Sequence, residues 1–158
     1  MKYLILLAIL FSMSMVTQAA DPAAQLLSAA SAGRIYQLKD LLAEGADANA
    51  KNAAGRPALV IAGFNGNLRT AKALIAAGAD VNAVDAAGNS ALIAASAFGH
   101  SDLVSFLVAA GADVNLKDAG GKSALARATR SSHTVIAEKL KSAGAVEEAA
   151  AAEEEKKK

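Results

Sequence analysis

The stretch from Leu74 to His100, LIAAGADVNAVDAAGNSALIAASAFGH, decides the fold of this chain because it recurs at a fixed interval. Thirty-three residues earlier the chain reads LLAEGADANAKNAAGRPALVIAGFNGN, and thirty-three residues later it reads LVAAGADVNLKDAGGKSALARATRSSH. Three sets of residues keep this interval: Gly45, Gly78, Gly111 and Gly144; Gly55, Gly88 and Gly121; and Asn49, Asn82 and Asn115. A period of about 20–50 residues is typical of stacked-repeat proteins, so the sequence predicts a repeat array.

The composition fits thin, closely packed layers. The chain has 158 residues, of which 54% are hydrophobic and only 4% aromatic, and it contains neither Trp nor Cys. Small apolar side chains suit the thin layers of a solenoid better than a thick globular core. The absence of Cys excludes disulfides, thiolate metal sites and a Cys nucleophile. The formal net charge of +1 gives no strong attraction to nucleic acid.

The N-terminus has the layout of a secretory signal peptide. A lysine in the first two residues precedes an apolar run at 3–11, and a more polar stretch then ends in small residues. Cleavage after Ala19 is favoured over cleavage after Ala20, which would put Gln18 where a small residue is read. A membrane anchor is the alternative, but a span needs about 20 apolar residues. We therefore predict a signal peptide at 1–19 and export, to a bacterial periplasm or outside the cell.

Each repeat is predicted to contain two helices and a glycine stop. Asp21 and Pro22 have the character of an N-cap and a first helical residue. Apolar residues at helical spacing then give two buried faces, Leu26, Leu27 and Ala30 in the first helix and Ile35, Leu38, Leu41 and Leu42 in the second. Gly45 ends the second helix in a left-handed conformation. The connections at 46–56, 79–89 and 112–122 are rich in Asp, Asn and Gly, which indicates short hairpins at one edge of the stack.

This organisation resembles the ankyrin repeats. Their pattern is D-x-x-G-x-T-P-L-H-x-A-A-x-x-G-H, then a helix with paired leucines and G-A-D-V-N; here DAAGNSALIAASAFGH at 85–100 and GADVN at 111–115 form the best copy. The resemblance extends over about 22–146 and implies an all-α solenoid of about four helix-turn-helix repeats with short β-hairpin fingers. We place the repeat domain at 20–146, with repeats at about 22–54, 55–87, 88–120 and 121–146, and a charged low-complexity tail at 147–158.

The sequence departs from the ankyrin pattern at one position in every copy. The His of T-P-L-H, which usually joins neighbouring repeats by hydrogen bonds, is replaced by Val60, Ile93 and Ala126. The helices should still form, because Ser90 and Ser123 keep a hydroxyl oxygen at the N-cap. The first repeat lacks a finger of its own and the last ends at about 146, as expected of terminal repeats.

Several motifs resemble parts of known ligand-binding motifs but lack residues that those motifs require. GGKS at 120–123 lacks the first glycine of a P-loop, since Leu116 occupies that place. The segment from Asp113 to Asp118 begins like a calcium loop, but Lys117 occupies a ligand position, and local turns onto the backbone account for the recurring Asp and Asn residues. His100 and His133 recur at one helix–helix turn, which favours a structural role. No G-x-S-x-G motif occurs. We therefore predict no catalytic residues, no cofactor and no metal.

The ankyrin resemblance implies a concave protein-binding face made of finger tips and first helices. Carried onto this chain, the predicted partner-binding residues are Lys51, Arg56, Phe64, Asn65, Val84, Asn89, Ala97, Phe98, Lys117, Lys122 and Arg130. This set includes five basic residues and no acidic one, which favours an acidic partner surface. In the alternative interpretation, the phenylalanines only fill gaps beside alanines of the neighbouring repeat, and the basic residues only keep the face soluble. Phe106, in a second helix, is predicted to be core.

The functional hypothesis is an exported, non-enzymatic scaffold that binds a protein, such as a periplasmic enzyme, through its concave face. We expect a monomer that binds no nucleic acid and, after signal cleavage, no membrane. A secreted effector that binds a host protein is the alternative. An enzyme or a small-ligand binder is a remote alternative, because alanine-rich stacked helices offer little pocket depth.

Overall fold

A computed structural model describes residues 21–147 of the chain, so the predicted signal peptide and nearly all of the predicted tail lie outside the described residues. Eight helices follow one another within this range: α1 Pro22–Ala32, α2 Ile35–Ala43, α3 Ala58–Asn65, α4 Leu68–Ala76, α5 Ala91–Ala97, α6 Ser101–Ala109, α7 Ala124–Arg130 and α8 Thr134–Ser142. The odd-numbered helices stack on one another as an inner layer, and the even-numbered helices form an outer layer. The predicted all-α solenoid of four helix pairs is confirmed.

Each connection between helix pairs is a short finger closed by one antiparallel bridge. The bridges join Lys51 to Pro57, Val84 to Ser90 and Lys117 to Ser123. These isolated bridges do not extend into a sheet in the described part of the chain. Nor is any helix of residues 21–147 both long and apolar enough to cross a membrane.

Side chains at the helix starts satisfy backbone N–H groups as predicted. The Asp21 carboxylate accepts from the N–H of Ala23 at 3.0 Å, and Pro22 is the first residue of α1. The hydroxyl oxygens of Ser90 and Ser123 each accept a backbone N–H from three residues further on, at 3.2 Å. An N-cap of this kind contributes about 1 kcal/mol to helix stability. Capping therefore persists in repeats that lack the ankyrin histidine.

Two leucine columns and one alanine column form the core at the 33-residue interval. The leucines are Leu26, Leu59, Leu92 and Leu125 in the inner layer and Leu41, Leu74, Leu107 and Leu140 in the outer layer, all at most 7% exposed. Each buried leucine stabilises the fold by about 2 kcal/mol relative to an exposed one. Inner-layer Ala29, Ala62, Ala95 and Ala128 are 0% exposed and small enough for the inner helices to approach closely. Phe106 packs partly buried against this core.

The asparagines of the fingers bind the next repeat, which corrects one prediction. Local turns do account for the aspartates, since Asp47, Asp80 and Asp113 each accept from the N–H two residues further on. The side-chain oxygens of Asn49, Asn82 and Asn115 instead accept from the N–H groups of Asp80, Asp113 and Val146, at 2.8 to 2.9 Å. The asparagine column therefore joins successive repeats at the bases of the fingers.

A second polar column joins the repeats at the helix–helix turns. The side chain of Asn67 donates to the carbonyl of Ala30 at 3.2 Å. In the next two repeats, Nε2 of His100 lies 3.1 Å from the Phe64 carbonyl, and Nε2 of His133 lies 3.2 Å from the Ala97 carbonyl. Because a carbonyl can only accept, each Nε2 carries the proton. The structural role predicted for both histidines is confirmed.

Candidate partner-binding face

Three side chains from two neighbouring repeats form a connected cluster beside the inner helices. Phe64 at the end of α3 and Phe98 just after α5 pack edge to face, with ring centroids 5.6 Å apart and an interplanar angle of 68°. The guanidinium carbon of Arg56 lies 4.5 Å from the centroid of the Phe64 ring. Both arrangements are favourable, because the positive edge of one ring or a cation meets the negative face of another ring. We call Arg56, Phe64 and Phe98 the aromatic cluster.

Phe98 is the exposed member of the aromatic cluster. Its side chain is 59% exposed, whereas Phe64 is partly buried between Arg56 and Phe98. In the alternative interpretation, both phenylalanines only fill gaps between repeats. The exposure of Phe98 does not fit that interpretation, and Phe64 fits it only in part. An exposed aromatic ring that packing does not require has area available for a partner.

A buried aspartate holds Arg56 in place. Oδ2 of Asp85 accepts from Nε of Arg56 at 3.4 Å, and the Asp85 side chain is only 4% exposed. Its Oδ1 accepts from the backbone N–H groups of Ala87 and Asn89, both at 2.9 Å. The carboxylate is thus fixed by its own finger and reaches the arginine of the preceding one. The Arg56 side chain remains 41% exposed beside the aromatic rings.

The next finger contains an equivalent buried aspartate, Asp118, which pairs with a different arginine, Arg127. Asp118 accepts from the backbone N–H groups of Gly120 and Lys122 through Oδ1 and from Nε of Arg127 at 2.8 Å through Oδ2. Burial by itself raises the pKa of the Asp118 carboxyl, but the Lys122 N–H, the Arg127 guanidinium and the Gly120 N–H together outweigh it and hold that pKa below its usual value. Asp118 is therefore ionised at neutral pH and compensates the charge of Arg127.

Comparison with known proteins agrees with this architecture. A family model described as ankyrin repeats, in three copies, matches residues 26–118, which is more than half of the chain. The chain belongs to the ankyrin-repeat family. No curated protein matches it significantly. Ankyrin repeats are generally protein–protein interaction modules, and ankyrin-repeat proteins are typically non-enzymatic scaffolds.

The predicted binding residues of this ankyrin array separate into two groups. The first group presents side chains at the surface or in the aromatic cluster: Lys51, Arg56, Phe64, Phe98, Lys117, Lys122 and Arg130. The second group has side chains that are small, partly buried or hydrogen-bonded within the fold: Asn65, Val84, Asn89 and Ala97. Asn65, for example, donates to the carbonyl of Ser31 in the preceding repeat at 3.1 Å. The first group is therefore better placed to contact a partner.

One residue of this face, Arg127, was not among the residues predicted from the sequence. Arg127 lies in α7 one turn before Arg130 and is partly exposed. The repeat register could have found it, because the equivalent position holds Ile61 in the second repeat and Ala94 in the third. A position that varies between serine, isoleucine, alanine and arginine among otherwise similar repeats is more typical of a surface than of a core.

The described residues hold few groups suited to chemistry. Within residues 21–147, no three His, Asp or Glu side chains are placed so that they could hold a metal ion. Both histidines have a ring nitrogen against a backbone carbonyl, and Ser90 and Ser123 accept from helix N–H groups. These four side chains therefore take part in contacts that support the fold.

Proposed function

We propose that this ankyrin-repeat protein is exported and binds a protein partner through the concave face around the aromatic cluster, without catalysing a reaction. The observation that carries the proposal is Phe98, a 59% exposed ring supported edge to face by Phe64. Aromatic and arginine side chains dominate the energetics of protein interfaces, and a few of them contribute about 2 kcal/mol or more each. The ring is held in place before binding, so little side-chain entropy is lost when a partner covers it.

Charge supports an acidic partner surface. Along the repeat order, Lys51 lies before the aromatic cluster, which itself contains Arg56, and Lys117, Lys122 and Arg130 lie after it. The finger carboxylates of Asp85 and Asp118 are 7% and 6% exposed and so present little negative charge to a partner. Complementary charge would speed association and exclude basic competitors.

The proposed export rests on the sequence at 1–19. A positive start, an apolar run too short for a span and small residues before Ala20 support removal by a signal peptidase. The lack of Cys is compatible with an oxidising compartment such as the periplasm. Cell fractionation and N-terminal sequencing test this directly: we expect a mature protein in the periplasm or medium that begins at Ala20. An intact N-terminus in the cytoplasm would contradict export.

Affinity capture tests the binding face. The wild type, a Phe64→Ala, Phe98→Ala, Lys122→Glu triple variant and a Tyr36→Ala control are immobilised and exposed to periplasmic extract and to culture medium. Tyr36 is a suitable control because it is an aromatic residue, 83% exposed, on the outer helix α2. We expect a protein retained by the wild type and the control and lost from the triple variant, with circular dichroism showing that all three are folded. Equal retention by all, or no retention by the wild type, would contradict the proposal.

A further inference from the structure

We propose that the concave face recognises an acidic protein segment with one large apolar side chain at its centre and carboxylates on both sides. This inference rests on the proposed function and adds the chemistry of the partner. Three properties of the face carry it: the extent of its apolar surface, the position of its positive charges and the occupation of the Phe64 ring by Arg56.

On the inner helices, the large apolar side chains of this face lie in the two middle repeats. One column of equivalent inner-helix positions reads Ser28, Ile61, Ala94 and Arg127 from the first repeat to the fourth, and another reads Ser31, Phe64, Ala97 and Arg130. The large apolar residues, with Phe98 beside them, thus lie between polar serines and basic arginines. A patch this short along the stack accommodates one large side chain and not a continuous apolar strip.

Positive charge lies on both sides of this patch. Lys51 is exposed on the finger before α3, Lys117 and Lys122 are exposed on the finger before α7, and Arg130 is exposed at the end of α7. Arg56 and Arg127 are paired with buried aspartates, so the charge that the inference relies on is that of exposed Lys51, Lys117 and Arg130. Carboxylates before and after the central apolar side chain would meet this charge on both sides.

The aromatic pair is poorly suited to a basic anchor. Aromatic faces attract lysine and arginine side chains, but the Arg56 guanidinium already lies over the Phe64 ring at 4.5 Å. A second cation there would also be repelled by the surrounding basic residues. An uncharged apolar side chain adds contact area without that cost, so the face selects against a basic residue at the centre of the segment.

Two other anionic occupants fit less well. The chain's own C-terminal sequence, EEAAAAEEEKKK at 147–158, supplies carboxylates but no apolar side chain larger than alanine. A single-stranded nucleic acid would combine phosphates with stacking bases. However, the inner helices of the described residues offer one exposed aromatic ring, Phe98, whereas a single strand stacks its successive bases on several aromatic side chains. Both occupants serve as probes in the test.

Fluorescence anisotropy with labelled synthetic peptides tests the inference on the purified full chain. The parent probe has nine residues, a central leucine with four alternating Asp and Glu residues on each side. Matched probes replace the leucine by alanine, replace it by lysine, or replace all acids by their amides. We expect each change to weaken binding at least tenfold, and Phe98→Ala to lower the affinity for the leucine peptide to that for the alanine peptide.

Charge-reversal variants test whether both sides of the patch contribute. Lys51→Glu and Lys117→Glu should each weaken binding of the parent peptide about threefold or more. Lys39→Glu is the matched control, since it makes the same change of charge at an exposed position on the outer helix α2. An equal loss in the control would mean that net charge, rather than this face, determines binding, and would overturn the inference.

Three further results would also overturn it. These are equal affinity for the leucine and alanine peptides, no binding of the parent peptide, and binding of the tail peptide EEAAAAEEEKKK or of a nine-nucleotide thymidine oligomer as tight as that of the parent. The proposed function is judged separately by affinity capture. A captured protein that the triple variant loses, together with failure of the peptides, would refute the partner chemistry alone. Capture that does not depend on the aromatic cluster would refute the face itself.

Discussion

The third and fourth repeats share one sequence register but have different neighbours. The third repeat, containing α5 and α6, lies between two repeats, whereas no helix follows α8 of the fourth repeat within the described residues. Ile93 and Val104 of the third repeat are 1% and 0% exposed, and the equivalent Ala126 and Ala137 are partly exposed. At these two positions a large apolar side chain occurs where another repeat covers it, and alanine occurs in the last described repeat.

The helix–helix turns show the same difference at a single residue. Gly99 and Ser132 are equivalent, and both have left-handed backbones, with φ of +81° and +60°. A Cβ at Gly99 would lie 2.7 Å from the imidazole of His133, whereas the fourth repeat has no such histidine after it among the described residues. Inside the array this turn needs glycine for both conformation and space. At the end of the array only the conformational requirement remains.

Gly99→Ala is expected to have the largest effect of the changes that probe this comparison. The new methyl group would displace the His133 ring from the Ala97 carbonyl and would also disfavour the left-handed backbone. These two costs together amount to about 3 kcal/mol. Urea unfolding followed by circular dichroism measures the loss. A loss below about 1 kcal/mol would show that the histidine column is not tightly packed.

Asp118→Asn tests how much the ion pair between Asp118 and Arg127 contributes to stability. The amide keeps an oxygen for the Gly120 and Lys122 N–H groups but loses the ion pair with Arg127, which should cost about 1.5 kcal/mol at neutral pH. The pKa of Asp118 is depressed below the ordinary value of 3.8, so its contribution is present above that pH and disappears as pH falls through the lower pKa of the folded protein.

The difference in unfolding free energy between the wild type and Asp118→Asn should therefore be constant from pH 7 to about pH 5 and shrink below about pH 4. Urea unfolding at several pH values measures it. Asn52 occupies the equivalent place in the finger before α3 and accepts from the N–H groups of Ala54 and Arg56, so the variant is expected to fold. A difference that grows on acidification would contradict the assignment.

Asn82→Ala and Asn115→Ala compare one polar link inside the array with its equivalent at the end. Asn82 joins the second and third repeats through the Asp113 N–H, so its loss should lower global stability by about 1 kcal/mol. Asn115 binds the Val146 N–H and the Gly144 carbonyl beyond α8. Its loss should mainly speed hydrogen exchange of the Val146 amide, with a smaller global change. Equal global losses would mean that the end unfolds together with the middle.

Ser132→Gly should have the smallest effect on stability among these substitutions and the opposite sign. Glycine relieves the cost of a left-handed backbone but adds entropy to the unfolded chain, for a net gain of about 0.5 kcal/mol. Thermal unfolding should show a slightly higher melting temperature. A lower melting temperature would indicate that the serine side chain makes a stabilising contact at the end of the array.

The helix pairs, the fingers and the N-caps could be predicted from the sequence, because each depends on the repeat interval or on residues close together in the chain. The 33-residue interval predicted the helix pairs and the fingers, and local chemistry predicted the caps at Asp21, Ser90 and Ser123. The links made by Asn82 and His100 were harder to predict, because each side chain binds backbone about 30 residues away. No local pattern distinguishes such a link from a turn within its own loop.

The candidate site was predictable only in part, for a geometric reason. Phe64 and Phe98 do not occupy equivalent repeat positions, since their separation is one residue longer than the interval. Their ring contact depends on the directions of the side chains, which spacing alone does not give. Positions carried over from the ankyrin pattern also included Asn65 and Asn89, whose amides make hydrogen bonds within the fold.

The most direct test of the binding face is Phe98→Ala, with unfolding and partner capture measured on the same protein. Because Phe98 is 59% exposed, we expect a stability loss below about 1 kcal/mol and at least a tenfold weaker capture of the partner. A stability loss of about 3 kcal/mol, as for a buried phenylalanine, with capture unchanged, would contradict it and identify Phe98 as part of the packing between repeats.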